Sequence, residues 1–235
     1  TQLFYPNPKK VAAGPAYQVG LWKRIWFGNH YRSTWTTPIE VPYLNLDTTF
    51  NGLTVDKKGG GRQTNSLKFK TESGAPYTFR SVDKDPAKAL NYRLRPTFIA
   101  EVLRDQTSTQ HPYGAMIVAP LIDKIGILHA TPQLFLLPND PKLGLYQPEF
   151  GNMMGMLEES PGKEDLAGKH FFDADDIVKS TDLFKKMYSE QKHQVATEEF
   201  VRARLFDIWI GDWSKHEDNW KWAMFKEEAI RRYRP

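Results

Sequence analysis

Two short alternating runs separated by a glycine constrain the fold of this chain most. Residues 66–70 alternate polar and apolar side chains, residues 77–82 do so again, and Gly74 lies between them. Alternation with a period of two is typical of a strand that buries one face. The spacing therefore predicts a β-hairpin that turns at Gly74.

Two helices and two further strands are predicted next along the chain. Pro96 and Pro112 each open a stretch with helical spacing of apolar residues, and Gly126 ends the second stretch. Proline is favoured in the first turn of a helix and glycine just after its end. The short apolar runs at residues 133–137 and 151–158 indicate strands.

The last third of the chain is predicted to be helical after a polar linker at residues 159–170. Ser180 is a suitable residue to cap one helix, and a stronger helix is predicted from residue 197 to residue 210, ending at Gly211. The buried side of the stronger helix is assigned to Phe200, Val201, Leu205, Ile208 and Trp209. Strands, helices, strands, linker and helices in this order indicate an α+β fold with two lobes.

The domain boundaries follow from these patterns. Residues 1–45 are rich in Pro, Trp and Tyr without a sustained period, and are predicted to form an irregular arm. Residues 46–158 are assigned to a sheet-containing lobe, and residues 159–235 to a hinge and the start of a helical lobe.

Basic and aromatic residues are interleaved in the arm, most densely at Trp22, Lys23, Arg24 and Trp26. Such a cluster can bind nucleic acid by stacking and phosphate contacts, or lie at a lipid headgroup layer. We expect instead that its aromatic rings pack onto the main body, because so many rarely stay exposed without a partner.

Composition excludes several classes of function. The chain has no cysteine, which rules out disulfides, cysteine metal sites and thiol catalysis. The net charge of +4 is only mildly basic and does not indicate a dedicated nucleic-acid binder. No apolar run is long enough for a membrane-spanning helix. Residue 1 is Thr, so we expect a processed chain or part of a longer protein.

Residues 210–220 read Ile-Gly-Asp-Trp-Ser-Lys-His-Glu-Asp-Asn-Trp. This segment resembles the catalytic loop Asp-Arg-His-x-x-Asn of the kinase-like fold shared by the HipA proteins and the phosphatidylinositol kinases. His216 and Asn219 are in register with that loop. Ser214 and Lys215 take the positions of its Asp and Arg.

The replaced aspartate is the residue that matters most for chemistry. Phosphoryl transfer needs a carboxylate to orient the nucleophile and oxygen ligands for Mg²⁺. Ser214 cannot supply the carboxylate, so Asp212 and Asp218 are the candidate substitutes, with His216 in the same loop and Asn219 as the candidate metal ligand. A zinc site at Asp212 and His216 lacks a third ligand at useful spacing.

A glycine run provides a second candidate site. Gly59, Gly60 and Gly61 precede the strand predicted at residues 66–70. Consecutive glycines let backbone N–H groups approach a phosphate closely, and glycine-rich kinase loops join strands. A flexible hairpin tip explains the same residues equally well. The run is not a Walker loop, because no Gly-Lys-Ser/Thr follows it.

The second predicted strand carries the candidate phosphate-binding cations. In the phosphatidylinositol kinases the nucleotide-binding lysine belongs to a Phe-Lys pair, which stands a few residues before an acidic cluster and a proline. By resemblance to this motif, Arg80 takes the position of the lysine. Lys84 is the alternative candidate for the phosphate-binding cation. Both residues are equally consistent with ordinary surface charges on an exposed strand face. Glu101 and Asp105, on the following helix, are the candidate carboxylates to orient the cation.

The strand predicted at residues 151–158 runs into the linker, at the place where a kinase binds adenine through backbone groups. Glu158 and Glu159 stand at this junction, and the methionines before them would pack softly on a flat base. Ordinary core packing is the alternative.

Five motifs in series resemble a segment of large Bacteroidota proteins usually labelled BamA/TamA-family outer-membrane proteins or metallophosphoesterases. The similarity covers most of residues 25–235, and its motifs lie at residues 31–40, 59–67, 79–86, 105–112 and 211–218. The resemblance implies a two-lobed, atypical protein-kinase-like fold in the cell envelope, in the periplasm or associated with the outer membrane. It lends no hydrolase residues to this chain.

Two departures from that family shape the functional expectation. The family reads Asp-Trp-Asp-Arg-His where this chain has Ser214 and Lys215, and it continues past an Arg-Tyr-x-Pro stretch into an Asp-bearing segment. We therefore expect a catalytically inactive kinase-like domain that serves as a binding or scaffold part of an envelope assembly, partnered by other envelope proteins or by the rest of the parent chain. The alternatives are an active phosphotransferase using ATP and Mg²⁺, completed beyond Pro235, and a basic module that binds anionic lipid or nucleic acid.

Overall fold

A computed structural model describes residues 8–60, 63–161, 171–212 and 215–235. Within these residues the chain forms seven α-helices and eleven β-strands in three sheets, which confirms the predicted mixed α+β class. Two compact units are formed. The first comprises Thr1–Glu72, Tyr77–Ile117 and Thr131–Glu159, and the second comprises Ser73–Pro76, Val118–Ala130 and Ser160–Pro235.

The N-terminal segment has regular structure, so the prediction of an irregular arm is wrong. Its elements are strand β1 (Lys9–Val11), helix α1 (Leu21–Phe27), helix α2 (Arg32–Thr36) and strand β2 (Ile39–Val41), with β1 antiparallel to β2. Trp35 is buried as expected, and its indole N–H donates to the carbonyl of Gln110 at 2.8 Å. Trp22 and Trp26, however, are 77% and 80% exposed, because α1 contacts the body through the side that carries Lys23.

A five-stranded sheet forms the centre of the first unit. Its strands are β3 (Leu53–Gly60), β4 (Thr64–Thr71), β5 (Pro76–Lys84), β6 (Gln133–Leu136) and β7 (Met154–Glu159), in the order β3–β4–β5–β7–β6. The predicted hairpin is confirmed as β4–β5, with Gly74 in the turn at a φ of +86°, a conformation that favours glycine. The two strands predicted from short apolar runs are confirmed as β6 and β7.

The helices of this region also follow the sequence prediction. Helix α3 (Phe98–Gln106) begins two residues after Pro96, and helix α4 (Gly114–Lys124) begins two residues after Pro112. Gly126 stands after α4 at a φ of +69°. A short helix α5 (Gln147–Phe150) precedes β7. Apolar side chains of β4, β5 and β7, including Phe69, Phe79 and Leu157, are buried in one cluster, and burying such a side chain contributes about 1.5–3 kcal/mol.

The second unit contains a four-stranded sheet, so the prediction that the last third is helical is wrong. Its elements are strand β8 (Asp176–Lys179), helix α6 (Ser180–Ser189), strand β9 (His193–Val195), helix α7 (Thr197–Ile210), strand β10 (Lys221–Glu227) and strand β11 (Ile230–Arg234). The strand order is β8–β10–β11–β9. Helices α6 and α7 are confirmed. Most of the predicted linker, residues 162–170, lies outside the described residues.

Burial on both faces hides the strand pattern of β10 in the sequence. Trp222 and Met224 enter one buried cluster, and Ala223 between them enters another. A strand covered on both sides carries a continuous apolar run, and such a run has the same appearance as a buried helical segment. The turn from β10 to β11 contains Glu228 at a φ of +38°.

Helix α7 buries a different side from the one assigned to it. Ala203, Phe206 and Asp207 are its buried residues. The apolar residues Val201, Leu205, Ile208 and Trp209 are exposed, and of the assigned set only Phe200 packs against the core of this unit. Both sides of α7 are apolar, so periodicity alone does not identify the inward side. No helix among the described residues has the length and apolarity needed to cross a bilayer.

Candidate functional site

The first two glycines of the glycine run belong to paired strands. Gly59 and Gly60 are the last residues of β3, opposite Ser66 and Asn65 of β4. A Cβ atom on Gly59 would collide with the hydroxyl of Ser66 in its present rotamer, so cross-strand packing by itself favours glycine there. Gly61, the third glycine of the predicted phosphate loop, lies outside the described residues.

Arg80 lies on β5 and pairs with Glu158 on β7. Its Nε donates to Glu158 Oε1 at 2.6 Å. Arg80 stands directly opposite Met156, two residues from Glu158, so the two side chains project from the same face of the sheet. The candidate phosphate-binding cation is thus joined to a carboxylate from the candidate adenine-binding strand. This pair is half exposed, so it contributes at most about 1 kcal/mol to stability.

The carboxylates of α3 have other partners. Asp105 is buried and accepts two hydrogen bonds from the Arg32 guanidinium, with Nη1–Oδ1 at 3.0 Å and Nη2–Oδ2 at 2.6 Å. Lys23 Nζ lies 3.1 Å from the same carboxylate. Among the described residues neither Asp105 nor Glu101 pairs with Arg80, so the expected cation–helix carboxylate pair is not formed.

Lys84 and Glu101 instead line one cleft of about 420 Å³ in the first unit. Two further cations and three further carboxylates line this cleft, together with a tyrosine. They are Lys23, Arg104, Asp83, Asp85, Asp105 and Tyr17. Arg104 Nε donates to Asp85 Oδ1 at 3.1 Å, and Lys84 Nζ donates to Gln110 Oε1 at 3.4 Å. The cleft therefore carries both signs of charge, with most cations already engaged by protein groups.

Burial raises the pKa of two groups in this cleft, and hydrogen bonds lower the pKa of a third. It raises the pKa of the Tyr17 phenol, which donates to Asp83 Oδ1 at 2.6 Å, and the Asp83 charge raises it further. Burial also raises the pKa of the Asp83 carboxyl. For Asp105, burial opposes ionisation, but hydrogen bonds from Arg32 and Lys23 outweigh it and hold the pKa below its usual range. The Asp105 carboxylate is therefore a stable anion at neutral pH.

In the second unit, residues 211–220 follow α7, and Gly211 caps this helix in the left-handed conformation at a φ of +73°. His216 is exposed, and its Nδ1 lies 3.8 Å from Asp218 Oδ2. Asn219 ends a turn of 3-10 helix just before the buried Trp220. Asp212 thus lies just after α7, and His216, Asp218 and Asn219 lie at the exposed 3-10 turn that precedes β10. Ser214 lies outside the described residues.

Two residues support residues 215–217 through contacts that the sequence did not predict. Asp207 of α7 is buried, and it accepts from Arg204 Nη1 at 2.9 Å and from Lys215 Nζ at 3.3 Å. Ser180 was assigned as a helix cap, but it stands inside α6. Its hydroxyl donates to the carbonyl of Glu217 at 2.8 Å. An acidic residue in an otherwise apolar helical segment was the available signal for Asp207.

The candidate oxygen ligands for a magnesium ion lie in residues 211–220 of the second unit. Mg²⁺ is held through oxygen ligands, usually one or two carboxylates with substrate phosphates. Within the described ranges, no three His, Asp or Glu side chains are grouped closely enough to hold a metal ion. Asn219 remains a candidate oxygen ligand from the sequence, and Ser214 stands where the resemblance predicts an aspartate.

The candidate residues fall into two groups, one in each unit. The first unit holds Gly59, Gly60, Arg80, Lys84, Glu101, Glu158 and Glu159, and the second holds Asp212, His216, Asp218 and Asn219. No protein-family model, curated protein or solved structure matches the chain.

Proposed function

We propose that this chain is a kinase-like domain that binds a nucleotide without transferring its phosphate. The strand order of the first unit carries the proposal. A glycine-bearing hairpin joins the first two strands, Arg80 stands on the third, and α3 follows before the last two strands. Protein kinases carry their glycine-rich loop, phosphate-binding lysine and helix carboxylate in this order.

The end of β7 supports the same function. Strand β6 pairs with β7 as far as Leu157, whereas β5 continues to Glu159. The last two residues of β7 therefore extend beyond β6. Backbone groups at such a strand end are suited to hydrogen bonding with a flat base, which is the role proposed for Glu158 and Glu159.

The elements around the loop of the second unit give further support. Strand β10 begins two residues after Asn219, and β11 returns antiparallel to it, with Arg234 opposite Ala223. The chain therefore leaves β11 toward the start of β10. An Asp-bearing segment after Pro235, as the family resemblance implies, would return to the side of Asn219.

Three observations favour binding over catalysis. Ser214 cannot act as a carboxylate base. Glu158 neutralises Arg80, and Arg32 holds Asp105. The catalytic-base position, one candidate phosphate-binding cation and one candidate helix carboxylate are thus replaced or engaged elsewhere. By the family resemblance, we propose that the domain is a scaffold part of a cell-envelope assembly, with other envelope proteins or the rest of its parent chain as partners.

Phosphotransfer from γ-labelled ATP tests the absence of catalysis. We expect no transfer to the chain or to water above background, with or without Mg²⁺, and no difference between wild type and Asp212→Asn. Transfer that is lost in Asp212→Asn would overturn the proposal and favour the active phosphotransferase with Asp212 as its base. An Asp218→Asn variant distinguishes the second candidate base.

Calorimetric titration with ATP tests the binding site. Arg80→Ala is expected to weaken binding about tenfold, because a charge-assisted hydrogen bond to phosphate contributes about 1.5–3 kcal/mol. Glu158→Gln is expected to tighten binding, since it frees the Arg80 guanidinium. Ser214→Ala should have no effect.

Arg93→Ala is the matched control, because the Arg93 guanidinium is exposed and lies over the ring of Tyr92. Wild-type ATP affinity in Arg80→Ala would remove Arg80 from the site, and Lys84→Ala would then be the next variant to titrate. Absence of ATP binding in the wild type would contradict the nucleotide part of the proposal.

A further inference from the structure

Helix α1 presents an uncovered apolar face. Leu21, Trp22, Ile25 and Trp26 are each more than 60% exposed. Successive helical residues are about 100° apart, so these four side chains fall within an arc of roughly 140°. The face is a single strip that contains two large aromatic rings. Isolated exposed apolar residues are ordinary, but a contiguous strip of this kind marks an interaction surface.

The charge of the surrounding segment is one-sided. The first 39 residues contain no Asp or Glu and five basic residues, which are Lys9, Lys10, Lys23, Arg24 and Arg32. The whole chain has 32 Lys and Arg against 28 Asp and Glu, so this segment accounts for the entire net positive charge. Arg32 and Lys23 are engaged with Asp105, whereas Arg24 is exposed beside the apolar strip. A strip with two tryptophans and an exposed cation next to it is complementary to an anionic layer that has an apolar interior.

The apolar strip is held in a defined orientation. Lys23 Nζ, on another side of α1, lies 3.1 Å from the buried Asp105 carboxylate. Arg32 fixes the end of the helix, because its Nε donates to the carbonyl of Gly28 at 2.9 Å while its other nitrogens bind Asp105. The ion pair that attaches α1 to the first unit thus leaves the tryptophans directed away from it.

We propose that α1 binds the surface of an anionic lipid bilayer. Trp22 and Trp26 would lie at the headgroup level with Leu21 and Ile25 below them, since the indole ring combines an apolar body with a polar N–H. Arg24 would contact lipid phosphates, and each cation near an anionic surface contributes about 1 kcal/mol. This function is independent of nucleotide binding, because it uses no residue of the proposed nucleotide site.

Co-sedimentation with vesicles tests the proposal on the full chain. We expect binding to vesicles of equimolar phosphatidylcholine and phosphatidylglycerol, weaker binding to pure phosphatidylcholine, and a loss of affinity with rising salt. Trp22→Ala and Trp26→Ala should each weaken binding roughly tenfold. Arg24→Glu should weaken binding to the anionic vesicles at least fivefold.

The chain offers matched controls in the second unit. Trp209 is 72% exposed and Lys185 is exposed, so Trp209→Ala and Lys185→Glu are expected to bind vesicles as the wild type does. Far-ultraviolet circular dichroism verifies that each variant is folded. No vesicle binding at low salt, or unchanged binding in the Trp22→Ala/Trp26→Ala double variant, overturns the proposal. Binding to a single-stranded oligonucleotide without binding to vesicles overturns it in favour of nucleic acid.

Discussion

Asp105→Ala is expected to lower the free energy of unfolding by about 3–5 kcal/mol, because the Arg32 charge would remain buried without its partner. Arg32 is only 2% exposed, and both of its terminal nitrogens bind the Asp105 carboxylate. Urea unfolding of wild type and variant measures the difference. A large loss establishes Asp105 as a residue that supports the fold rather than a partner of Arg80.

The exposed pair of the first unit supplies the control for this experiment. Glu158→Gln removes the partner of a half-exposed arginine and should change the unfolding free energy by less than about 1 kcal/mol. Equal losses of unfolding free energy in Asp105→Ala and Glu158→Gln would contradict the assignment of a buried pair to Arg32 and Asp105 and an exposed pair to Arg80 and Glu158. Replacing both Arg32 and Asp105 by apolar residues of similar size should restore much of the stability lost in Asp105→Ala.

The same ion pair predicts a pH dependence with a definite sign. Burial opposes ionisation of Asp105, yet hydrogen bonds from Arg32 and Lys23 hold its pKa below the usual value in the folded chain. The stabilisation is therefore complete above the unfolded pKa of about 4, and it is lost as the pH falls through the folded pKa. The stability difference between wild type and Asp105→Ala should shrink below pH about 4. A stability difference between wild type and Asp105→Ala that stays constant down to pH about 2 would contradict the attribution of this stabilisation to the ionised Asp105 carboxylate.

Trp222→Ala is expected to destabilise the second unit by about 3–5 kcal/mol, the usual cost of removing a large buried ring. The Trp222 ring packs against Trp220 and Phe200, with centroid separations of 5.9 and 5.4 Å. Its Nε1 also donates to the Ser180 hydroxyl at 2.9 Å, and that hydroxyl holds the carbonyl of Glu217. We therefore expect faster amide hydrogen exchange in residues 215–220 as well as lower stability.

Trp209→Ala provides the comparison, since its side chain is exposed on α7 and its removal should change stability by no more than about 0.5 kcal/mol. A small effect of Trp222→Ala would contradict the placement of residues 221–227 in a buried strand. Ser180→Ala separates the effect of the Ser180–Glu217 hydrogen bond from the effect of burying the Trp222 ring. It removes the hydroxyl that holds the Glu217 carbonyl and leaves the Trp222 ring in place.

The sequence alone determined most elements whose ends carry strong local signals. The β4–β5 hairpin follows from alternation around Gly74, and the bounds of α7 follow from its length and from Gly211. Turn and cap residues act within a few positions of the chain, so their effect does not depend on the remainder of the fold. The loop at residues 211–220 and the position of Arg80 were singled out differently, by their resemblance to motifs of the kinase-like fold.

The tertiary structure decided what those elements contact. It placed β10 between two other strands, which turned an apolar run into a strand, and it buried Phe206 of α7 instead of Leu205 and Trp209. It also paired Arg80 with Glu158 from the neighbouring strand and Asp105 with Arg32, 73 residues away in the chain. Long-range pairing and the choice of buried face depend on which surfaces meet in the folded chain, and local periodicity does not identify the buried face of an element that is apolar on both sides.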